Sequence, residues 1–217
     1  YGGNRLSAVS GVEGEAELLN YWSANARVSR NLRSLSDALT RGGPLGISQG
    51  GWVANLGISS DYRKRLQLSG NLDLSRDDLG GWSISSYSQV SFRPSSTVSL
   101  SVGPTFGAYL DPQQFVSSSR DWTAPATFDR RYVFAEILGR SLDLTTRIDV
   151  AVSPTLSLQL YVQPFVQTGD YRRFKELVAP RTTRYIVYGE TPGSTLTPVA
   201  NCDGAVTAYD LDPDGAG

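Results

Sequence analysis

From Arg130 to Tyr171 the chain alternates apolar and polar residues over two long stretches that meet at Ser153-Pro154-Thr155. Before the turn the even positions read Leu142, Leu144, Thr146, Ile148, Val150 and Val152; the odd ones read Asp143, Thr145, Arg147, Asp149 and Ala151. After it the same parity resumes, with Leu156, Leu158, Leu160 and Val162 against Ser157, Gln159, Tyr161 and Gln163. Successive side chains on a strand point to opposite faces, so this hairpin has one apolar face and one polar, partly charged face.

The rest of the chain repeats the pattern. Arg5 to Val12 alternates weakly, and Glu15 to Val28 alternates better, carrying Leu18, Trp22, Ala24 and Ala26 on one face. Asn31 to Ser48 is a polar connection containing the turn-rich Thr40-Arg41-Gly42-Gly43-Pro44. Trp52, Ala54, Leu56 and Ile58 mark the next strand, and Ser60-Asp61-Tyr62 a short turn. Leu66, Leu68, Leu72 and Leu74 then oppose Arg65, Gln67, Asn71 and Asp73, up to a turn at Asp77-Asp78-Leu79-Gly80-Gly81. Trp82 to Phe92 and Val98 to Ala108 form the following pair around Arg93-Pro94-Ser95-Ser96. The fold class expected is all-β: an antiparallel up-and-down meander of long strands, forming part of a transmembrane β-barrel, with a loop-rich stretch over 189–217.

Strand direction adds one expectation. The Arg93-Pro94 and Ser153-Pro154 turns have similar sequences. If they share one end of a meander, an even number of strands separates them. Counting Tyr132–Leu138 and Leu142–Val152 as two strands leaves one missing, which assigns a strand to Gln113–Trp122.

Composition excludes several functions. Lys+Arg 20 against Asp+Glu 21 argues against a nucleic-acid partner. The absence of histidine removes His-based triads and His metal sites from these 217 residues. Cys202, being the only cysteine, forms no internal disulfide. With no methionine even at position 1, the chain is expected to be a piece of a longer polypeptide. No apolar run approaches the roughly 20 residues of a membrane helix.

Two architectures fit the alternation. A soluble sandwich or barrel turns the apolar face inward; a membrane barrel turns it to lipid. Three features favour the membrane barrel. Many strands reach the roughly 10 residues that spanning requires, against about 5–6 in typical soluble strands. Trp22, Trp52, Trp82, Phe92, Tyr109, Trp122 and Tyr132 sit near strand ends, where interfacial girdles lie. The polar face uses Ser, Thr, Gln, Asn, Arg and Asp, and the only lysines are Lys64 and Lys175.

Several segments in order carry a resemblance: Thr40-Arg41-Gly42-Gly43-Pro44, Asp61-Tyr62-Arg63-Lys64, Arg131-Tyr132-Val133-Phe134-Ala135, the run Ser153 to Tyr161, Gln163-Pro164-Phe165, Gly169-Asp170-Tyr171 and Phe174-Lys175-Glu176-Leu177. Together they resemble a bacterial barrel-forming family, domain of unknown function family 5916. The likeness runs from about the first tryptophan to Asp214. It implies a Gram-negative outer-membrane protein whose barrel follows a domain resembling a family 9 carbohydrate-binding module. It also implies that an N-terminal domain and the last strands lie outside this chain. Glycans are then partners through that absent domain, beside the lipid bilayer itself, and the family supplies no catalytic residues to carry over.

Candidate chemistry is sparse. Asp210, Asp212 and Asp214 before Gly215 match the first half of a calcium loop, where alternate carboxylates converge on a hard cation. The bland reading is an acidic solvated loop, and Pro213 is awkward for calcium geometry. No other cofactor is expected. Arg65, Asp73, Asp143, Arg147 and Asp149 fall on the polar face, where they either line a pore or pair with one another. Asp170, Glu176 and Arg172-Arg173 are expected in a solvated loop after a strand, and Glu13, Glu15 and Glu17 on one exposed strand face. The expected function is a non-enzymatic outer-membrane channel, or an anchor for a carbohydrate-binding domain. The alternatives are a surface glycan-processing hydrolase whose catalytic residues lie outside this segment, and a soluble β-sandwich binding module.

Overall fold

The computed structural model describes residues 6–215. Strands β1 (Val9–Glu17) and β2 (Ser23–Asn31) lead into a small hairpin of β3 (Ser34–Ser36) and β4 (Gly46–Ser48). Then come β5 (Gly51–Ser59), β6 (Leu66–Asp77), β7 (Trp82–Phe92), β8 (Val98–Arg120) and β9 (Arg130–Ser153). The chain continues through β10 (Leu156–Val162), β11 (Phe165–Leu177), β12 (Tyr185–Val187) and a hairpin of β13 (Thr195–Ala200) and β14 (Val206–Asp212). A 3-10 turn at Pro125–Thr127 is the only helical element among the described residues.

The main sheet has ten strands in the order β1-β2-β5-β6-β7-β8-β9-β11-β12, with β10 beside the lower part of β9. Every pairing is antiparallel. The sheet is therefore an all-β meander, as expected, but it is open: β1 forms one edge and β10–β11 the other, with no pairing between them. Pro164 separates β10 from β11 because proline lacks a backbone donor, yet its carbonyl still accepts from Leu144 N at 3.1 Å. The two strands thus track one continuous β9.

Register turns the alternation into two faces. One row reads Ala26, Leu56, Leu72, Ser86, Phe106, Leu142 and Val166 across seven strands. A lower row reads Leu66, Phe92, Leu100, Ile148 and Leu160. On the opposite face a row reads Glu13, Arg27, Asn55, Asp73, Ser85, Gly107, Ser141 and Gln167. The apolar face is open to the surroundings: Leu142 is 54 % exposed and Leu158 61 %. No second sheet covers it among the described residues.

Two sequence expectations need correction. Glu15–Val28 is not one strand, because Leu18 N donates to the Trp22 carbonyl and Tyr21 N to the Leu18 carbonyl, folding a turn between β1 and β2. Tyr21 adopts φ 62 there, a left-handed conformation its own side chain does not advertise. Of the weak alternation before it, Arg5 lies outside the described residues. Second, Gln113–Trp122 is not a separate strand; its residues to Arg120 continue β8, which bulges past Asp111 and Phe115. Likewise 132–138 and 142–152 are one strand. Two strands, not four, separate the proline turns, so the count stays even, and Ala151 N donating to the Thr97 carbonyl at 2.8 Å puts both turns at one end. The loop-rich stretch expected over 189–217 carries the β13–β14 hairpin among its described residues.

Beyond the pairing of Trp82 with Leu110, β8 and β9 run on together as an overhang, joined by the upper part of β11. The buried core lies here, away from the short turns. Tyr132, Phe134 and Leu177 are enclosed by Leu39, Phe115 and Tyr185. Phe134 meets Phe115 and Tyr185 edge to face at 5.8 and 5.7 Å. The segment between β2 and β5 reaches across to this cluster. Arg41 stacks on Phe115 at 4.9 Å, Gly43 lies against the Tyr132 ring, and the Leu45 carbonyl accepts from Arg181 N. The sheet thus carries a packed cap at the end opposite the proline turns.

Candidate functional site

The cap gathers most of the buried charge, on both sides of the overhang. On one side Arg131 is central. Its Nε donates to Asp121 Oδ2 at 2.6 Å, its Nη1 to Glu176 Oε1 at 2.7 Å and its Nη2 to Thr123 Oγ1 at 2.9 Å. The Tyr188 hydroxyl donates to the other Glu176 oxygen at 2.9 Å. Burial works against the Arg131 charge, but the Asp121 and Glu176 contacts outweigh it and its pKa rises. The Arg131 guanidinium, helped by Thr123, holds the Asp121 carboxyl at about 2. Burial, reinforced by Glu176, pushes the Tyr188 phenol up.

On the other side Arg173 bridges Glu136 at 2.8 Å and Glu190 at 2.9 Å. Lys175 approaches Glu136 at 3.7 Å and lies 5.2 Å from the Tyr185 ring centre. Burial lowers the Lys175 pKa, with Glu136 opposing. Gln113 Nε2 donates to the Tyr185 hydroxyl at 2.6 Å. Every one of these carboxylates faces a cation, and Lys175 is shut in by its neighbours. These contacts fasten the cap to the overhang.

Glu176 therefore departs from the sequence expectation. It is 4 % exposed and sits in β11 with Asp170, Arg172 and Arg173, not in a solvated loop. Asp170 does remain exposed, held by Arg172 at 2.6 Å. Arg131, Glu136, Lys175 and Tyr188 were not legible as partners. The signal available was local: in Arg172-Arg173-Phe174-Lys175-Glu176-Leu177 the alternation breaks just where charge becomes dense.

The polar face of the sheet is the second candidate surface. Asp73, Asp143, Arg147 and Asp149 lie on it by register. Asn55 Nδ2 donates to Asp73 at 2.6 Å, and Arg147 pairs with Asp149 at 3.2 Å. Asp143 stands opposite Thr105 and Phe165, in the row next to that of Asp73 but three strands away, so the charges are dispersed across the face. Arg65 is the residue just before β6, its carbonyl accepting from Arg93 N, and no register pair fixes its face. Glu13, Glu15 and Glu17 are exposed along edge strand β1, and Arg27 stands 3.8 Å from Glu13. Most of the remaining lining is hydroxyl and amide, as in a groove formed by Ser23, Ser59, Gln67, Ser69, Gln89 and Ser91. Two tyrosines cover bare backbone here: Tyr109 lies over Gly139 and Tyr87 over Gly103.

Asp210, Asp212 and Asp214 fall on and just after β14. Asp212 Oδ1 accepts from the Asp214 and Gly215 backbone N–H groups at 3.1 and 2.8 Å, so the carboxylate folds its own turn. Among the described residues no group of three or more His, Cys, Asp or Glu side chains converges as metal ligands. Comparison with protein families, with curated proteins and with solved structures finds no match.

Proposed function

We propose that this chain is the membrane-embedded part of a Gram-negative outer-membrane β-barrel, non-enzymatic, whose polar face lines a passage for water and small polar solutes. The observation that carries the reading is the exposed apolar face, continuous in register from β2 to β11 and backed by a polar face. The strands fit the role in length: β5 to β7 have 9, 12 and 11 residues, and a tilted spanning strand needs about 9–11. In lipid an open edge leaves backbone groups without partners. The edges β1 and β10–β11 are accordingly closed by further strands in the membrane. The short turns face the periplasm and the cap the outside, following the loop asymmetry of such barrels.

Membership of the barrel family named above belongs to this proposal, and with it the role of anchor for a carbohydrate-binding domain. Cell fractionation tests the placement. The protein is expected to sediment with outer membranes and to resist extraction by alkaline carbonate; recovery as a soluble monomer refutes it. Planar-bilayer recording then separates the roles, because a passage gives discrete conductance steps and a pure anchor gives none.

A further inference from the structure

We propose that the two neighbouring turns at the proline-turn end form a binding groove for the phosphate headgroup of an anionic phospholipid, with Lys64 as its ligand. The inference rests on the membrane reading above. Apolar Leu19, Trp22, Leu66 and Leu68 line the groove together with Arg63, Lys64 and the carboxylate of Asp61. Leu66 and Leu68 belong to the apolar face, 50 % and 37 % exposed, and Leu19 is exposed along its whole side chain. An acyl chain laid on the leucines would bring its headgroup to the two cations.

The Arg63 guanidinium is held in place. Asp61, 4 % exposed, accepts from the Arg63 backbone N–H at 2.9 Å and grips the guanidinium at 2.9 and 3.0 Å. That guanidinium lies 3.5 Å from the centre of the Tyr21 ring, which ties the 60–65 turn to the 18–22 turn. Lys64 N donates to the Asp61 carbonyl at 3.1 Å, fixing the backbone from which the ammonium projects. Asp61 thereby neutralises Arg63 and leaves the groove net positive through Lys64, which makes no ion pair among the described residues. The other lysine, Lys175, is buried in the cap. A flexible cationic stem beside an apolar band, with a tryptophan at the same level, suits an anionic headgroup.

Single-tryptophan chains test this. One retains Trp22 and the other Trp82, which lies at the opposite rim among Arg30, Arg76, Asp77 and Asp78, where charge balances. Each full chain is reconstituted in phosphatidylcholine vesicles containing a minor share of phosphatidylglycerol, with bromine on the acyl chains of one lipid or the other. Brominated phosphatidylglycerol is expected to quench Trp22 about fivefold beyond its mole share, the fold-change equivalent to about 1 kcal/mol per basic residue at an anionic surface. Trp82 should follow mole share. Lys64→Gln should return Trp22 to mole share with Trp82 unchanged, and Lys64→Arg should keep the excess. Quenching of Trp22 at mole share in the parent chain, or an excess that survives Lys64→Gln, overturns the site while the membrane reading stands. No quenching of either tryptophan by either lipid overturns both.

Discussion

Replacing Leu142 by arginine places a charge at the centre of the apolar face. Leu142 lies in the row with Leu56, Leu72 and Phe106, near the middle of β5 and β6, and is 54 % exposed. If that face meets water, a substitution at so open a site changes stability by no more than about 0.5 kcal/mol. If it meets lipid, arginine at the midplane costs about 2–4 kcal/mol and falls to about 0–1 near the interface. Leu66 supplies the interfacial control. It precedes Leu72 by six positions on β6, about 20 Å of strand at about 3.3 Å per residue. With a tilt of about 45° that is roughly 14 Å of depth, close to the edge of the hydrocarbon. Urea unfolding in vesicles, followed by tryptophan fluorescence, should therefore give about 3 kcal/mol for Leu142→Arg and about 1 or less for Leu66→Arg. Equal small losses at both positions refute the reasoning, because only lipid makes the cost depend on depth.

Arg131→Ala strands the buried Glu176 carboxylate and should cost about 3 kcal/mol, at the low end for a broken buried pair because the arginine keeps some solvent contact; chemical unfolding measures it, and Arg131→Met with Glu176→Leu should cost less than Arg131→Ala alone. Asp121 gives a pH signature. Its folded carboxyl is held at about 2, below the unfolded value, so its stabilisation is present above about pH 4 and lost as pH falls toward 2. Melting temperature against pH should show that loss in the parent chain, and a smaller one in Asp121→Asn. At Gly139 an added Cβ would overlap the Tyr109 ring. Gly139→Ala should therefore cost about 1–3 kcal/mol through overpacking, with Tyr109→Ala recovering part of the loss in a double-mutant cycle.

How far the sequence could be read depended on which physical constraint acted on each segment. Where one face is mostly apolar, as from Leu66 to Leu110 despite Ser86 and Ser88, a period of two reveals the strands, and a register slip would invert every side chain. That regularity located β5 to β7 and the turns between them. It failed at Leu18–Trp22, where the apolar residues of a turn imitate a strand. It failed again along β8, whose bulges at Asp111 and Phe115 shift parity while pairing with β9 continues. The site was harder still. Arg131 and Glu176 are 45 positions apart and meet only because β9 and β11 are paired in the overhang. Nothing local to either residue encodes that pairing. By contrast, Asp73, Asp143, Arg147 and Asp149 were assigned to one face by parity alone, and the register places them there.

The central claim is that the apolar face contacts lipid. Single cysteines at Leu68 and Leu142, with Cys202 replaced, carry a polarity-sensitive probe on the protein reconstituted in vesicles. Lipid-borne quenchers are expected to reach the probe at both positions, and aqueous ones at neither. Protection from both classes, or quenching from water alone, would contradict that claim.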